Sequence, residues 1–152
     1  MTLIIRRVFM KKVMVIHGPN LNMLGIRKKE IYGKSTLQDL NDIIKKKSKE
    51  LDIDVDIYQF NCEGEIISQI HKAYNNYHAL IINAGAYAHY SIGIRDAIEA
   101  VDIPTIEVHI SNIYKRESFR ANSVISPVCM GQITGLGIEG YVLAIERISY
   151  LI

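Results

Sequence analysis

At 152 residues the chain has the length of one domain, enough to bury roughly two thirds of its unfolded surface without a disulfide or a metal. Apolar residues make up 49% and charged residues 22%, an ordinary globular composition, and a net charge of +2 gives no ground for a nucleic-acid partner. The two cysteines, Cys62 and Cys129, lack metal-ligand spacing and fit a reduced, cytoplasmic chain, and no apolar run approaches the ~20 residues that span a bilayer.

The start, residues 1–12, is apolar and basic but has neither a signal-peptide core nor a cleavage site. Met10 followed by two lysines reads as a second start, so residues 1–9 are expected to be an N-terminal extension and 10–152 a single domain. Residues 13–16 form a continuous apolar run, the pattern of a strand buried on both faces. The stretch after it is long and carries Asn20, Arg27 and Tyr32 rather than a short run of glycines. Ser35 and Gln38 have capping-box spacing, and Leu37, Leu40, Ile43 and Ile44 give the helical stripe of a segment reaching about Leu51. The basic run Lys45–Glu50 at its end reads as a solvated face.

Ile53, Val55, Ile57 and Tyr58 predict a second strand, and Ile66, Ile67, Ile70 and Ala73-Tyr74 a second helix. Residues 79–85 give a third buried strand, 92–101 a helix and 104–110 a fourth strand. A short helix is predicted over 115–121 and a fifth strand within 128–133. The last helix is predicted over 137–150, with Ile138, Tyr141, Val142, Ile145 and Ile148 inward. Short apolar strands alternating with helices mean a parallel α/β sheet. Five strands in this length predict a flavodoxin-like three-layer sandwich with a five-stranded parallel sheet.

In open parallel sheets, ligands bind beyond the carboxyl ends of the strands, and the polar residues fall there. His17-Gly-Pro-Asn20 ends the first strand; Asn83 ends the third, with His89 and Ser91 just beyond. Glu107, His109, Ser111 and Asn112 close the fourth, and Arg116 and Arg120 follow at i and i+4. Singly, each has a bland reading: a strand-end cap for Asn83, a surface histidine for His89, a satisfied core histidine for His109, salt-bridge formers for the arginines, packing for Tyr32. Jointly they map to one rim. That rim lacks a G-x-G-x-x-G or P-loop signature, a flavodoxin-type phosphate loop, an acidic pair and a metal-ligand cluster. It suits a small carboxylated, polyhydroxylated substrate handled without a cofactor.

The blocks GPNLNMLGIRKKEIYG, FNCEGEII, INAGAYAHYSIGIRDA, EVHISN and RESFRANS with GLGIEGY, in order from Gly18 to Tyr141, together resemble type II 3-dehydroquinate dehydratase. The resemblance implies a cofactor-free, metal-free lyase of the shikimate pathway, which also leads to chorismate and aromatic amino acids. The reaction is anti-elimination of water from 3-dehydroquinate through an enolate, giving 3-dehydroshikimate. It also implies a homo-oligomer, often a dodecamer built from trimers, with no membrane or nucleic-acid partner. The long loop after the first strand is then a lid. Tyr32 matches the tyrosine that removes the proton beside the ketone, and Arg27 the arginine next to it. Free tyrosine has a pKa of about 10, so only about one in a thousand is ionised at pH 7; a neighbouring guanidinium favours the phenolate.

Asn20 matches the residue associated with enolate stabilisation through a water, His109 the acid that protonates the leaving hydroxyl, and Glu107 an orienter of His109. Asn83, with the backbone amides of Ile110 and Ser111, matches the carboxylate pocket. His89 and Arg120 match residues that hold ring hydroxyls. Asp96 matches an aspartate reaching a neighbouring subunit's site, and Arg116 a structural or lid-contacting arginine. Four positions depart from the family pattern. Lys28-Lys29 stand where an acidic residue and proline are usual, His17 stands for an amide, Ala86 for a glycine, and Tyr90 for a small hydroxyl residue. Cys129 reads as packing. Two competing readings are a flavodoxin-like module that binds a flavin or nucleotide, and a non-catalytic assembly subunit.

Overall fold

The computed structural model describes residues 10–152, so the extension expected over residues 1–9 lies outside the described residues. Strand β1 (Lys11–His17) leads into a short helix α1 (Lys29–Tyr32), followed by α2 (Leu37–Glu50), β2 (Ile53–Gln59) and α3 (Glu63–His71). Then come β3 (Ala79–Asn83), α4 (Ile92–Val101), β4 (Thr105–His109), β5 (Gly131–Thr134) and α5 (Glu139–Ser149). The strands form one sheet in the order β2-β1-β3-β4-β5, every pair parallel. This is the expected flavodoxin-like arrangement.

The central strands β1 and β3 carry continuous apolar runs because both their faces are covered, and β4 is equally buried with Thr105, Glu107 and His109 among its residues. Val13, Val15, Ile81 and Val108 pack with Leu40, Ile44, Tyr141 and Ile145 in the core under α2 and α5. Met14, Ile16, Leu80 and Ile82 pack with Ile66, Ile70, Ile94 and Ile98 under α3 and α4. The chain order reverses direction between β1 and β3, and strand ends diverge there. This is where such a sheet opens a crevice.

Several sequence expectations shift on inspection of the fold. The capping box of α2 is Thr36 with Asp39, not Ser35 with Gln38. The shorter Asp39 carboxylate reaches back to the Thr36 amide at 2.8 Å, while Gln38 turns along the helix to Asp42. Helix α3 ends at His71, so Ala73 is buried in the turn beyond it and Tyr74 faces solvent. The helix predicted over 115–121 is replaced by two 3-10 turns, Ile113–Lys115 and Ser118–Ala121. Arg116, in extended backbone, breaks the run between them. Strand β5 begins at Gly131, because residues 126–128 form a 3-10 turn with Pro127 in its first turn, at the second position. The lid helix α1 carries no sequence signal of its own. Val142 is only half-buried and Tyr150 is exposed, so the inward face of α5 is Tyr141, Ala144, Ile145 and Ile148.

Candidate active site

The site is assembled from the carboxyl ends of β1, β3 and β4. At the end of β1 the Gly18 amide donates to the Asn83 carbonyl at 2.7 Å. A Cβ on Gly18 would stand 2.6 Å from the Ala84 carbonyl carbon, so only glycine lets the two loops close on each other. Asn20 follows in the left-handed region, φ 69, and its amide donates to Asn61 Oδ1 at 3.0 Å. Gln59, at the end of β2, bonds both the Gly18 carbonyl and Asn61. Asn61 and Gln59 thus brace the Asn20 turn, although neither stood out in the sequence.

The lid brings Tyr32 between two guanidinium groups. Arg27 Cζ lies 4.8 Å from the ring centroid and Arg116 Cζ 5.2 Å. Arg116 Nη1 donates to the Tyr32 hydroxyl at 2.6 Å and to Ser111 Oγ at 3.3 Å. Arg116 therefore stands closer to the phenol oxygen than a merely structural arginine would. The Nε atoms of Arg27 and Arg116 are buried and have no hydrogen-bond partner among the described residues. Buried donors of a charged group left open in this way are ready to meet an acceptor.

Strand β4 supplies the opposite wall. His109 Nε2 lies 2.6 Å from Glu107 Oε1, and both residues are buried. Burial pushes the Glu107 carboxyl up, but hydrogen bonds from His109, Ser126 and Ser123 outweigh it and hold the group below its ordinary value. Ser123 Oγ donates to Oε1 at 2.7 Å, and Ser126 Oγ donates to Oε2. Gln132 in turn donates to Ser126. A carboxylate only accepts, so Nε2 of His109 carries a proton and Nδ1 is the free edge. His89 stacks on His109, with ring centroids 6.1 Å apart. Its Nδ1 donates to the Asn122 carbonyl at 2.8 Å, and burial lowers its pKa.

Asn20, Arg27, Tyr32, Asn83, His89, His109, Ile110, Ser111, Arg116 and Arg120 line one cavity of about 110 Å³. Glu107 sits behind His109 and acts on the cavity through it. Arg120 Nε donates to Glu117 and reaches the same cavity. Asp96 does not line it; it lies on the exposed face of α4. His17 turns into the core instead of the rim. Among the described residues no group of three His, Cys, Asp or Glu side chains could hold a metal ion. Cys129 packs against the core under α3 and α4, and burial, aided by the Glu107 charge, pushes its thiol up to about 12.

Residues 11–149 match the family described as Dehydroquinase class II. The chain belongs to the class II dehydroquinase family. A 3-dehydroquinate dehydratase of Caldicellulosiruptor saccharolyticus is 56% identical over 144 residues, which cover 94% of this chain and 99% of that one. A 3-dehydroquinate dehydratase of Clostridium perfringens is 56% identical over 139 residues, 91% of this chain and 96% of that one. A crystal structure of type II dehydroquinase from Butyrivibrio crossotus matches with a TM-score of 0.89 at 51% identity, covering 90% of this chain and 96% of that one. The family resemblance read from the sequence blocks therefore stands, and the flavin- or nucleotide-binding alternative has no support. The class II dehydroquinase chain carries its Tyr, Arg and His groups in one cavity, small beside the roughly 300–1,000 Å³ pockets that take drug-sized ligands.

Proposed function

We propose that this chain dehydrates 3-dehydroquinate to 3-dehydroshikimate, a step of the shikimate pathway, and that residues 10–152 form the dehydratase domain. The observation that carries the reading is the pairing of two proton-handling groups across one cavity. The Tyr32 hydroxyl is held by Arg116 at 2.6 Å, and the His109–Glu107 pair faces it from β4.

In this reading Tyr32, as phenolate between Arg27 and Arg116, takes a proton from the carbon beside the ketone. The electron pair left on carbon moves to the ketone oxygen, forming an enolate that Asn20 helps to hold. The enolate then returns its electrons to the ring. The new carbon–carbon double bond forms as the neighbouring hydroxyl leaves, taking a proton from His109 Nδ1 and departing as water. Glu107 supports the imidazolium needed for that transfer through its bond to Nε2. Asn83, with Ile110 and Ser111, takes the carboxylate; His89 and Arg120 take ring hydroxyls.

The same reading assigns the enzyme to the cytoplasm and to a homo-oligomer, a dodecamer built from trimers. Among the described residues no helix is long and apolar enough to cross a membrane. Ile92 is 56% exposed, one turn before Asp96 on the same face of α4, an arrangement that suits a face covered by another copy. Asp96 would there complete a neighbour's site.

The test follows absorbance at the enone band of the product, with purified protein, 3-dehydroquinate and a chelator. A rising signal is expected. A flat signal from folded protein overturns the reaction assigned. A monomer in light scattering overturns the assembly.

A further inference from the structure

Behind the His109 wall, one loop segment supplies the donors that meet Glu107 from outside its own strand. Ser123 Oγ donates to Glu107 Oε1 at 2.7 Å, and Ser126 Oγ donates to Oε2. Neither serine lines the cavity. The segment is itself fastened. The Val124 amide donates to the Ala88 carbonyl at 2.8 Å, Arg95 Nη1 on α4 donates to the Val124 carbonyl at 3.0 Å, and Ile125 is fully buried. Hydroxyls carried on such a segment keep their places without help from a ligand.

The direction of each hydrogen bond is fixed. An ionised carboxylate has no hydrogen to give, so each hydroxyl turns its single hydrogen to Glu107. Each serine oxygen is left to accept, and each does. Ser123 Oγ accepts from the Ser126 amide at 3.2 Å, and Ser126 Oγ accepts from Gln132 Nε2 on β5 at 2.9 Å. In that orientation the Gln132 oxygen accepts from the Tyr114 hydroxyl at 3.4 Å. With His109 Nε2 at 2.6 Å, Glu107 faces three hydrogens. A proton on either carboxyl oxygen would oppose one of them.

We infer that Ser123 and Ser126 are positioning residues for the dehydration: they hold Glu107 as an acceptor-only carboxylate, which keeps a proton on His109 Nε2 and leaves Nδ1 as the edge that serves the cavity. Glu107 then supports the imidazolium by its charge and does not take the proton itself. The inference deepens the reaction proposed above and rests on it. The serines touch no reacting atom; they act through Glu107 and His109. Without their hydroxyls, His109 alone opposes the burial that raises the Glu107 carboxyl. The other titratable groups within reach of that charge are Cys129, kept neutral because burial pushes its thiol up to about 12, and His89, whose pKa burial lowers.

The experiment has two arms on the full chain. Steady-state kinetics with 3-dehydroquinate compare wild type with Ser123→Ala, Ser126→Ala, Ser126→Thr, Glu107→Gln, and Ser126→Ala combined with Glu107→Gln. Each alanine removes a hydrogen bond to a charged group behind the acid, so kcat should fall about 5- to 30-fold with KM near wild type. Ser126→Thr keeps a hydroxyl and should recover most of the loss. On the Glu107→Gln background, Ser126→Ala should add nothing. An unchanged kcat in both alanine variants overturns the assignment, as does a loss that threonine does not recover and that multiplies with Glu107→Gln. The second arm needs no turnover. Carbon-13 spectra of glutamate-labelled protein follow the Glu107 carboxyl against pH, with Glu107→Gln identifying its signal. The midpoint should move to higher pH when both serines are replaced by alanine. A midpoint that stays in place overturns the role of the serines. If wild type leaves 3-dehydroquinate unchanged while the midpoint moves as expected, the proposed reaction fails and the hold on Glu107 stands.

Discussion

The two walls of the cavity are built differently. The His109 wall is a strand, all five of whose residues are buried. Behind it Glu107 is tied by His109, Ser123 and Ser126. The Tyr32 wall is a four-residue helix with no buried residue, entered at Lys28 with φ 40 and left at Gly33 with φ 81. The proposed acid stands on a fixed strand, and the proposed base on a segment that contributes little core. Segments with few buried contacts open locally at low free energy, so the lid can admit substrate without disturbing the sheet. Damage to the lid should therefore remove turnover and spare stability; damage to β4 should remove both.

The largest effect expected is that of Tyr32→Phe. The ring and its contact with both arginines remain, while the proton acceptor is lost, so kcat should fall on the order of 10³-fold. Melting temperature and substrate affinity should stay near wild type. Near-normal turnover would break the assignment of the base. Glu107→Gln is the matching change on the other wall. It keeps the volume but removes the charge that supports protonated His109. It also leaves two serine donors facing an amide with only one acceptor oxygen. On the order of 10²-fold in kcat should go, together with about 1–3 kcal/mol of stability, read by urea unfolding at fixed protein concentration. Stability equal to wild type would show that the network behind β4 does not hold the fold.

The strand–helix alternation was legible because β1 and β3 are buried on both faces and carry unbroken apolar runs, while β4 alternates Ile106 and Val108 with the polar residues Thr105, Glu107 and His109. Ten of the proposed site residues also gathered as their place at strand ends implied. What the sequence hid were choices made by tertiary contact. His17 sits at a strand end like Asn83, yet Asn41 and Tyr141, distant in the chain, turn its ring into the core. Ser123 and Ser126 lie in an irregular loop with no periodicity, and only the return of that loop over β4 gives them a partner. Arg116 and Arg120 looked like one helical face. The extended residue between two 3-10 turns sends Arg116 to Tyr32 and leaves Arg120 on Glu117. Asp96, exposed on α4, has no place in a cavity formed by one chain.

A smaller effect separates the buried side of the sheet from its rim by pH. His17 is lowered from 6.5 to about 4 by burial. Between those values the unfolded chain binds more protons than the folded one, so stability is full above about pH 6.5 and falls as pH drops toward 4. Going from pH 7 to pH 5 should cost about 2 kcal/mol from this group. The lowered carboxyls of Glu107, Asp39 and Asp56 act in the same direction but only below their ordinary values near 4. His89 adds a part of the same sign, being lowered but less buried. Urea unfolding of His17→Asn should show most of this slope removed. An unchanged slope would mean that His17 is not the group being charged.

The smallest effect on stability is expected in the lid backbone, and it sharpens the contrast most. Gly33 leaves α1 at φ 81, ψ −174, a region that side-chain-bearing residues avoid at a cost of roughly 1–3 kcal/mol. No atom lies within 4 Å of a Cβ added there, so the penalty in Gly33→Ala is conformational and not a clash. Because α1 has no fully buried residue and only Tyr32 packs against the core, the strain should be relieved by the lid leaving its closed position, not by the domain unfolding. Melting temperature should then move by no more than a few degrees, while kcat/KM falls about 5- to 100-fold, the size of that strain. The contrasting position is Gly18, where an added Cβ would stand 2.6 Å from the Ala84 backbone inside the packed end of β1. Gly18→Ala should lower the yield of folded protein instead. If Gly33→Ala loses stability as Gly18→Ala does, the lid is part of the folding core, and the division between a fixed acid and a separately closing base is wrong.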